Sequence, residues 1–189
     1  MKNKSAQDIH FLHKPGPGNG DRQRREDEKW NRIYKADLLE RRKKIKSLNF
    51  EEYVAEGNRF IHEVAEELKT NRHHAARIVR AVLHAVRDRL PANDSIEFAQ
   101  GLPMALKSVW LDQYDISKTP VIIRHKEEFL DYIYDKDEPT SFADFPDAGS
   151  IEEGLQAVFF VLENHMSAGQ VRQLKNMLNK EIVELIDDY

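Results

Sequence analysis

At 189 residues the chain has room for one ordinary domain, or for two small units sharing a core. Hydrophobic residues make up 40% of it and charged residues 33%, and the absence of cysteine excludes a disulfide scaffold, a thiolate zinc site and a thiol nucleophile. The net charge of −4 hides a division, because residues 1–48 hold 14 Lys/Arg against 7 Asp/Glu while residues 49–189 hold 15 against 26.

Residues 1–21 read as a disordered tail, with the turn-rich run Pro15-Gly16-Pro17-Gly18-Asn19-Gly20 at its end. Residues 22–48 read as a basic amphipathic helix over about 22–46. Trp30, Ile33, Tyr34 and Leu38 fall at helical spacing and form a narrow apolar stripe. Glu28 lies four before Arg32 and Glu40 four before Lys44, the favoured order for ion pairs on a helix.

Asn49-Phe50-Glu51-Glu52 is a variant capping box and opens a helix to about Leu68, with Tyr53, Val54, Phe60, Ile61, Val64 and Leu68 facing inward. Asn71 caps the next, whose core stripe is Ile78, Val79, Val82, Leu83, Val86 and Leu90. Asp94-Ser95-Ile96-Glu97 reads as a third start. Pro103 opens a further short helix with Met104, Leu106, Val109 and Trp110 inward. Residues 112–124 are a connector, in which Val121-Ile122-Ile123 is extended and packed on the core. A helix from near His125 ends around Tyr134. The polar loop 135–149 follows, with Phe142 and Phe145 tucked onto the core. Ser150-Ile151-Glu152-Glu153 and Ser167-Ala168-Gly169-Gln170 read as two more capping boxes.

Adding 76 to a position between Glu51 and Trp110 largely restores the apolar pattern. Glu51-Glu52-Tyr53-Val54 becomes Glu127-Glu128-Phe129-Leu130, and Ala81-Val82-Leu83 becomes Ala157-Val158-Phe159. The expected fold is therefore all-α, with two pseudo-repeated helical units, about 49–112 and 125–187, in one bundle-like domain over 49–189.

The chain resembles a bacterial family known as domain of unknown function 2267. The resemblance rests on Ala81-Val82-Leu83, Arg89-Leu90, Leu102-Pro103-Met104-Ala105-Leu106, Trp110 and Glu127-Glu128-Phe129-Leu130, in that order and spacing. It covers about residues 49–187. Asn179 stands where the second unit of the family commonly repeats the proline. The resemblance implies an all-helical twofold repeat and no activity, cofactor or catalytic residue.

Few residues remain for chemistry. His62 with Glu66 is an i, i+4 pair, a spacing that serves a metal or a surface ion pair. His62-Glu63-Val64-Ala65-Glu66 carries half of the helical zinc-protease pattern and has Glu66 where the second histidine belongs. His73 and His74 are adjacent and point about 100° apart on a helix, which disfavours joint chelation. Asp131, Asp135, Asp137, Glu138, Asp144 and Asp147 gather around one loop but lack the glycine-centred calcium pattern, so the expectation there is a solvated acidic loop. No catalytic residue, metal ligand set or cofactor is assigned.

The leading expectation is a non-enzymatic, cytoplasmic protein–protein interaction or adaptor module without a membrane span. Trp30, Tyr34 and Leu38 are the candidate protein-binding residues, for an unknown protein partner or self-association. The first alternative is non-specific nucleic-acid binding through Arg41, Arg42, Lys43 and Lys44, since lysine and arginine neutralise phosphates without reading sequence. The second is a metal-dependent enzyme using His62, His73 or His74.

Overall fold

A computed structural model describes residues 28–36 and 48–188. The chain divides into two compact units, Met1–Leu48 and Asn49–Tyr189. In the first, residues 28–36 form helix α1, all of it exposed, with Arg32 Nε donating to the Glu28 carbonyl at 3.4 Å. The remainder of the expected 22–46 helix lies outside the described residues.

The second unit is all helical among its described residues. Its helices are α2 (Phe50–Glu67), α3 (Arg72–Asp88), α4 (Ala92–Gly101), α5 (Met104–Leu111), α6 (Lys126–Lys136), α7 (Ser141–Asp144), α8 (Ala148–His165), α9 (Ala168–Met177) and α10 (Lys180–Asp187), with a 3-10 turn at Ile116–Lys118. None of the described helices is long and apolar enough to cross a membrane.

Side-chain caps set several boundaries. The Asn49 side chain accepts from the Glu52 N–H, and Asn71 from the N–H groups of His73 and His74, each satisfying donors that a helix start leaves open. Ser167 and Gln170 form a reciprocal capping box at α9. Two expected starts move. The box at α8 is Asp147 with Ser150, three residues before the expected start at Ser150. α4 begins at Ala92, because Pro91 at φ −54° already sets the backbone for a first turn. Its Ser95 is then free to turn inward, where it is fully buried.

α3 and α8 are the central helices. α3 packs against α2, α5, α6, α7 and α8, and α8 against α2, α3, α6, α9 and α10. Accordingly the second half of α3, Ala81 to Asp88, is buried on every side. The expected α3 stripe lies wholly in the core. Gly57 lets α2 approach α5 closely, since a Cβ there would stand 2.5 Å from the Ala105 Cβ.

Four apolar expectations need correction. Ile122 is 73% exposed while Ile123 beside it is buried, because successive residues of an extended segment face opposite sides. Val54 is 60% exposed, because the buried residues of α2 begin only at Phe60. Met104 is exposed at the first position of α5, while Leu106 and Trp110 carry that helix's burial. Phe142 is 75% exposed and Phe145 alone of the two is buried in the α6–α8 segment, where it approaches the position of a Gly154 Cβ.

Candidate functional site

Among the described residues of the second unit, buried charge gathers in two places, both along α3. The first is at its C-terminal end. Arg87 is 2% exposed, and its Nε donates to Asp88 Oδ1 at 2.7 Å. Its Nη1 donates to the carbonyls of Trp110 at 2.7 Å and Asp112 at 2.8 Å, and its guanidinium carbon lies 4.7 Å from the Tyr114 ring centroid. Asp88 Oδ2 takes the Lys136 ammonium at 2.7 Å and the Tyr132 hydroxyl at 3.0 Å, so α6 is tied to α3. Burial by itself pushes the Asp88 carboxyl up. The hydrogen bonds from Arg87 and Lys136 outweigh it and hold the group below the ordinary carboxylate value. Arg89 donates to the Val121 carbonyl and anchors the connector.

One turn earlier, His84 is buried beside this charge and shares a 2.8 Å hydrogen bond with the Val109 carbonyl. Burial, then the Arg87 charge, lowers its pKa to about 4, so the ring stays neutral and its Nε2–H donates. The unfolded chain binds that proton near the ordinary value of about 6.5. This contribution to stability is therefore complete above about pH 6.5 and is lost as pH falls through 4. His84→Phe should remove that acid-side loss, read as urea midpoints at pH 7 and pH 5. An equal drop in the variant and the parent would contradict the assignment.

The second gathering joins α3 to the α6–α8 segment. Arg77 meets Asp144 through Nε and Nη2 on the two carboxylate oxygens, a bidentate pair. His74 shares its Nδ1 with Thr70 Oγ1 at 2.7 Å and its Nε2 with the Asp144 carbonyl at 3.1 Å. Asp137 is 6% exposed and Asp144 4%. The expected solvated acidic loop is thus wrong at these two positions, because α7 folds Asp144 back onto α3. The Arg77 hydrogen bond holds Asp144 below the usual carboxylate range. Burial, then the hydrogen bond with Asp144, raises Asp137 to about 7.

Of the described residues singled out from sequence, His74, Asp137 and Asp144 enter the second gathering, while Trp30, Tyr34, His62 and His73 stay on the surface. Trp30 is 66% and Tyr34 48% exposed on α1, while Leu38, Arg41, Arg42, Lys43 and Lys44 lie outside the described residues. His62 pairs with Glu66 at 3.4 Å on the surface of α2. His73 is exposed in the first turn of α3. Among the described residues no three His, Asp or Glu side chains gather in a way that could hold a metal ion.

Residues 57–185 match the family described as an uncharacterized conserved protein, DUF2267. The chain belongs to this family. The matched span runs from the Gly57 contact of α2 into α10 and takes in both polar gatherings. A comparison with curated proteins finds no match.

Sequence reasoning missed Arg77, Arg87, Asp88, Tyr132 and Lys136. Arg87 and Asp88 did carry a signal. They stand one turn past His84, on the side of an apolar helix that a second layer must cover. Arg77 and Asp144 are 67 residues apart, and no local spacing connects them.

Proposed function

We propose that this chain is a non-enzymatic protein–protein interaction module, and that the outer face of α2 is its contact surface. The observation that carries the reading is a pair of apolar side chains one helical turn apart on that face. Phe50 is 71% and Val54 60% exposed, with the Tyr53 ring edge-on to Phe50 at 6.2 Å. Single exposed apolar residues are ordinary, whereas a contiguous group on a rigid element is the usual mark of a binding face. Buried Asp88 and Asp144, meanwhile, have their oxygens engaged by Arg87, Lys136, Tyr132 and Arg77 in fastening helices.

The fold also supports a duplicated unit. Helices open at Phe50, Arg72, Ala92 and Met104, and again at Lys126, Ala148, Ala168 and Lys180, in each case 76 residues on (50 to 126, 72 to 148, 92 to 168, 104 to 180). The packing keeps the same exchange, since α2 lies on α8 as α6 lies on α3, and α4 lies on its counterpart α9. Glu97 and Gln173, equivalent positions, meet at 3.3 Å. Such self-complementary contact is what a fused twofold pair produces. Under this equivalence Val54 corresponds to Leu130, which is 5% exposed. The face left open in one unit is therefore closed in the other, and closing it with a partner is the natural completion.

The test is retention of proteins from the native host by the immobilised chain, repeated with Phe50→Asp/Val54→Asp. Retention by the parent and its loss by more than tenfold in the variant, with an unchanged thermal midpoint, is the expected result, since losing two central apolar contacts costs about 2 kcal/mol or more. No specific retention by the parent, or equal retention by both, would refute the reading.

A further inference from the structure

We propose, on the basis of that reading, that the α2 surface takes a basic amphipathic segment of a partner protein. The apolar residues of that segment sit on Phe50 and Val54 while its lysines and arginines meet Glu51 and Glu56.

Helical geometry sets the pattern. At about 100° per residue, Phe50 and Val54 lie about 40° apart on α2. Glu51 lies about 60° beyond Val54, and Glu56 lies on the opposite flank, about 60° beyond Tyr53. The strip is apolar along its middle and carries a carboxylate on either edge. Residues 50–58 contain Glu51, Glu52 and Glu56 and no lysine, arginine or histidine. Arg59 follows, about 140° round the helix from Val54.

Neighbouring cations do not neutralise the edges. Among the described residues none pairs with Glu51 or Glu56. α5 comes close to α2 at Gly57, through Ala105. Its one cation, Lys107, stands two residues from Ala105 and so points about 160° away from it. Glu51 and Glu52 also favour the positive end of α2, as carboxylates in a first turn do. Glu56 lies a turn farther on, where that effect has faded. Its charge therefore calls for another explanation, and a basic partner supplies one.

Long-range charge points the same way. Residues 49–189 hold 15 Lys/Arg against 26 Asp/Glu, which steers a basic segment toward this unit and repels phosphate and anionic lipid. An amphipathic segment laid on an apolar strip, with charge pairs along its edges, is a common mode of peptide recognition.

The duplicated helix provides a matched control. Glu127 opens α6 as Glu51 opens α2, but Leu130, at the place of Val54, is 5% exposed. Glu127 and Asp131 are exposed on α6 and border no open strip of this kind.

The experiment uses the full chain and two labelled synthetic peptides that share one helical leucine pattern, with lysine at the other positions of the first and glutamate at those of the second. Fluorescence anisotropy should show the lysine peptide bound, the glutamate peptide free, and the binding weakened by added salt. Glu51→Lys/Glu56→Lys should weaken it about tenfold, because two attractions become repulsions. Glu127→Lys/Asp131→Lys, the same change in net charge, should leave it within about twofold. Equal weakening by the two pairs would mean attraction to the acidic unit as a whole and would overturn the proposal. So would equal binding of both peptides, or no binding of the lysine peptide. Loss of binding in Phe50→Asp/Val54→Asp with none in Glu51→Lys/Glu56→Lys would keep the α2 surface and reject the basic partner. Undiminished binding in Phe50→Asp/Val54→Asp would count against the surface itself. Where a variant does not fold, amide exchange of the parent with the lysine peptide decides: protection over 50–58 is expected, and protection only elsewhere would refute the assignment.

Discussion

Arg87→Ala is expected to lower unfolding free energy by about 3–5 kcal/mol, the usual cost of removing one partner from a buried ion pair. The side chain is 2% exposed, and its loss strands three acceptors at once: Asp88 Oδ1 and the carbonyls of Trp110 and Asp112. The two carbonyls lie at the end of α5 and just beyond it, so the same guanidinium ties α3 to the chain leaving α5. Lys136 and Tyr132 still hold Asp88 Oδ2, which keeps the loss from being larger. A total stability of roughly 5–15 kcal/mol makes this a severe change. Urea unfolding at pH 7 reads it as a fallen midpoint with an unchanged slope. The deficit should shrink at acid pH. Without Arg87 one of the two hydrogen bonds that hold the Asp88 carboxyl low is gone, burial then raises its pKa, and protonation removes the stranded charge. A loss below about 1 kcal/mol would show that the network is slack, as exposed ion pairs are.

Trp110→Ala is expected to cost a similar amount, about 3–5 kcal/mol, through cavity formation. The indole is fully buried, its ring centroid lies 5.0 Å from that of Phe98, and Nε1 donates to Ser95 at 3.2 Å (carbonyl) and 3.1 Å (Oγ). It therefore holds α4 to α5 across the bend at Leu102 and Pro103. Trp110→Phe keeps most of the apolar area and gives up the hydrogen bond, so about 1–2 kcal/mol is expected. The difference between the two variants separates volume from hydrogen bonding. Equal losses would mean that the hydrogen bond dominates and that the cavity collapses.

The apolar register was readable because local rules and packing agree along α3, α8 and α9. Ile78, Val79, Val82, Leu83, Val86 and Leu90 recur at helical spacing, and all are buried. Asn71 and Ser167 stand where a cap is needed, and both cap. The starts at Asp94 and Ser150 were misread because a capping residue type also occurs inside a first turn. Pro91 and Asp147 supply the actual boundaries. Val54 was misplaced for another reason. Periodicity shows which side of a helix is apolar, but not whether a second element reaches that far along it. The polar gatherings were the least legible. Asp137 and Asp144 look like loop carboxylates until α7 brings them under Arg77, a contact made across 67 residues of chain. Arg87 and Asp88 read as the polar end of a helix until the connector and α6 close over them.

Hydrogen–deuterium exchange of the chain alone and bound to a captured partner asks most directly whether the interior polar groups serve the fold and the α2 face serves binding. Protection on binding is expected over residues 50–58, with none confined to 74–77 or 137–147. Protection of the Arg77–Asp144 region with residues 50–58 unchanged would contradict that division and move the working surface to the polar cluster.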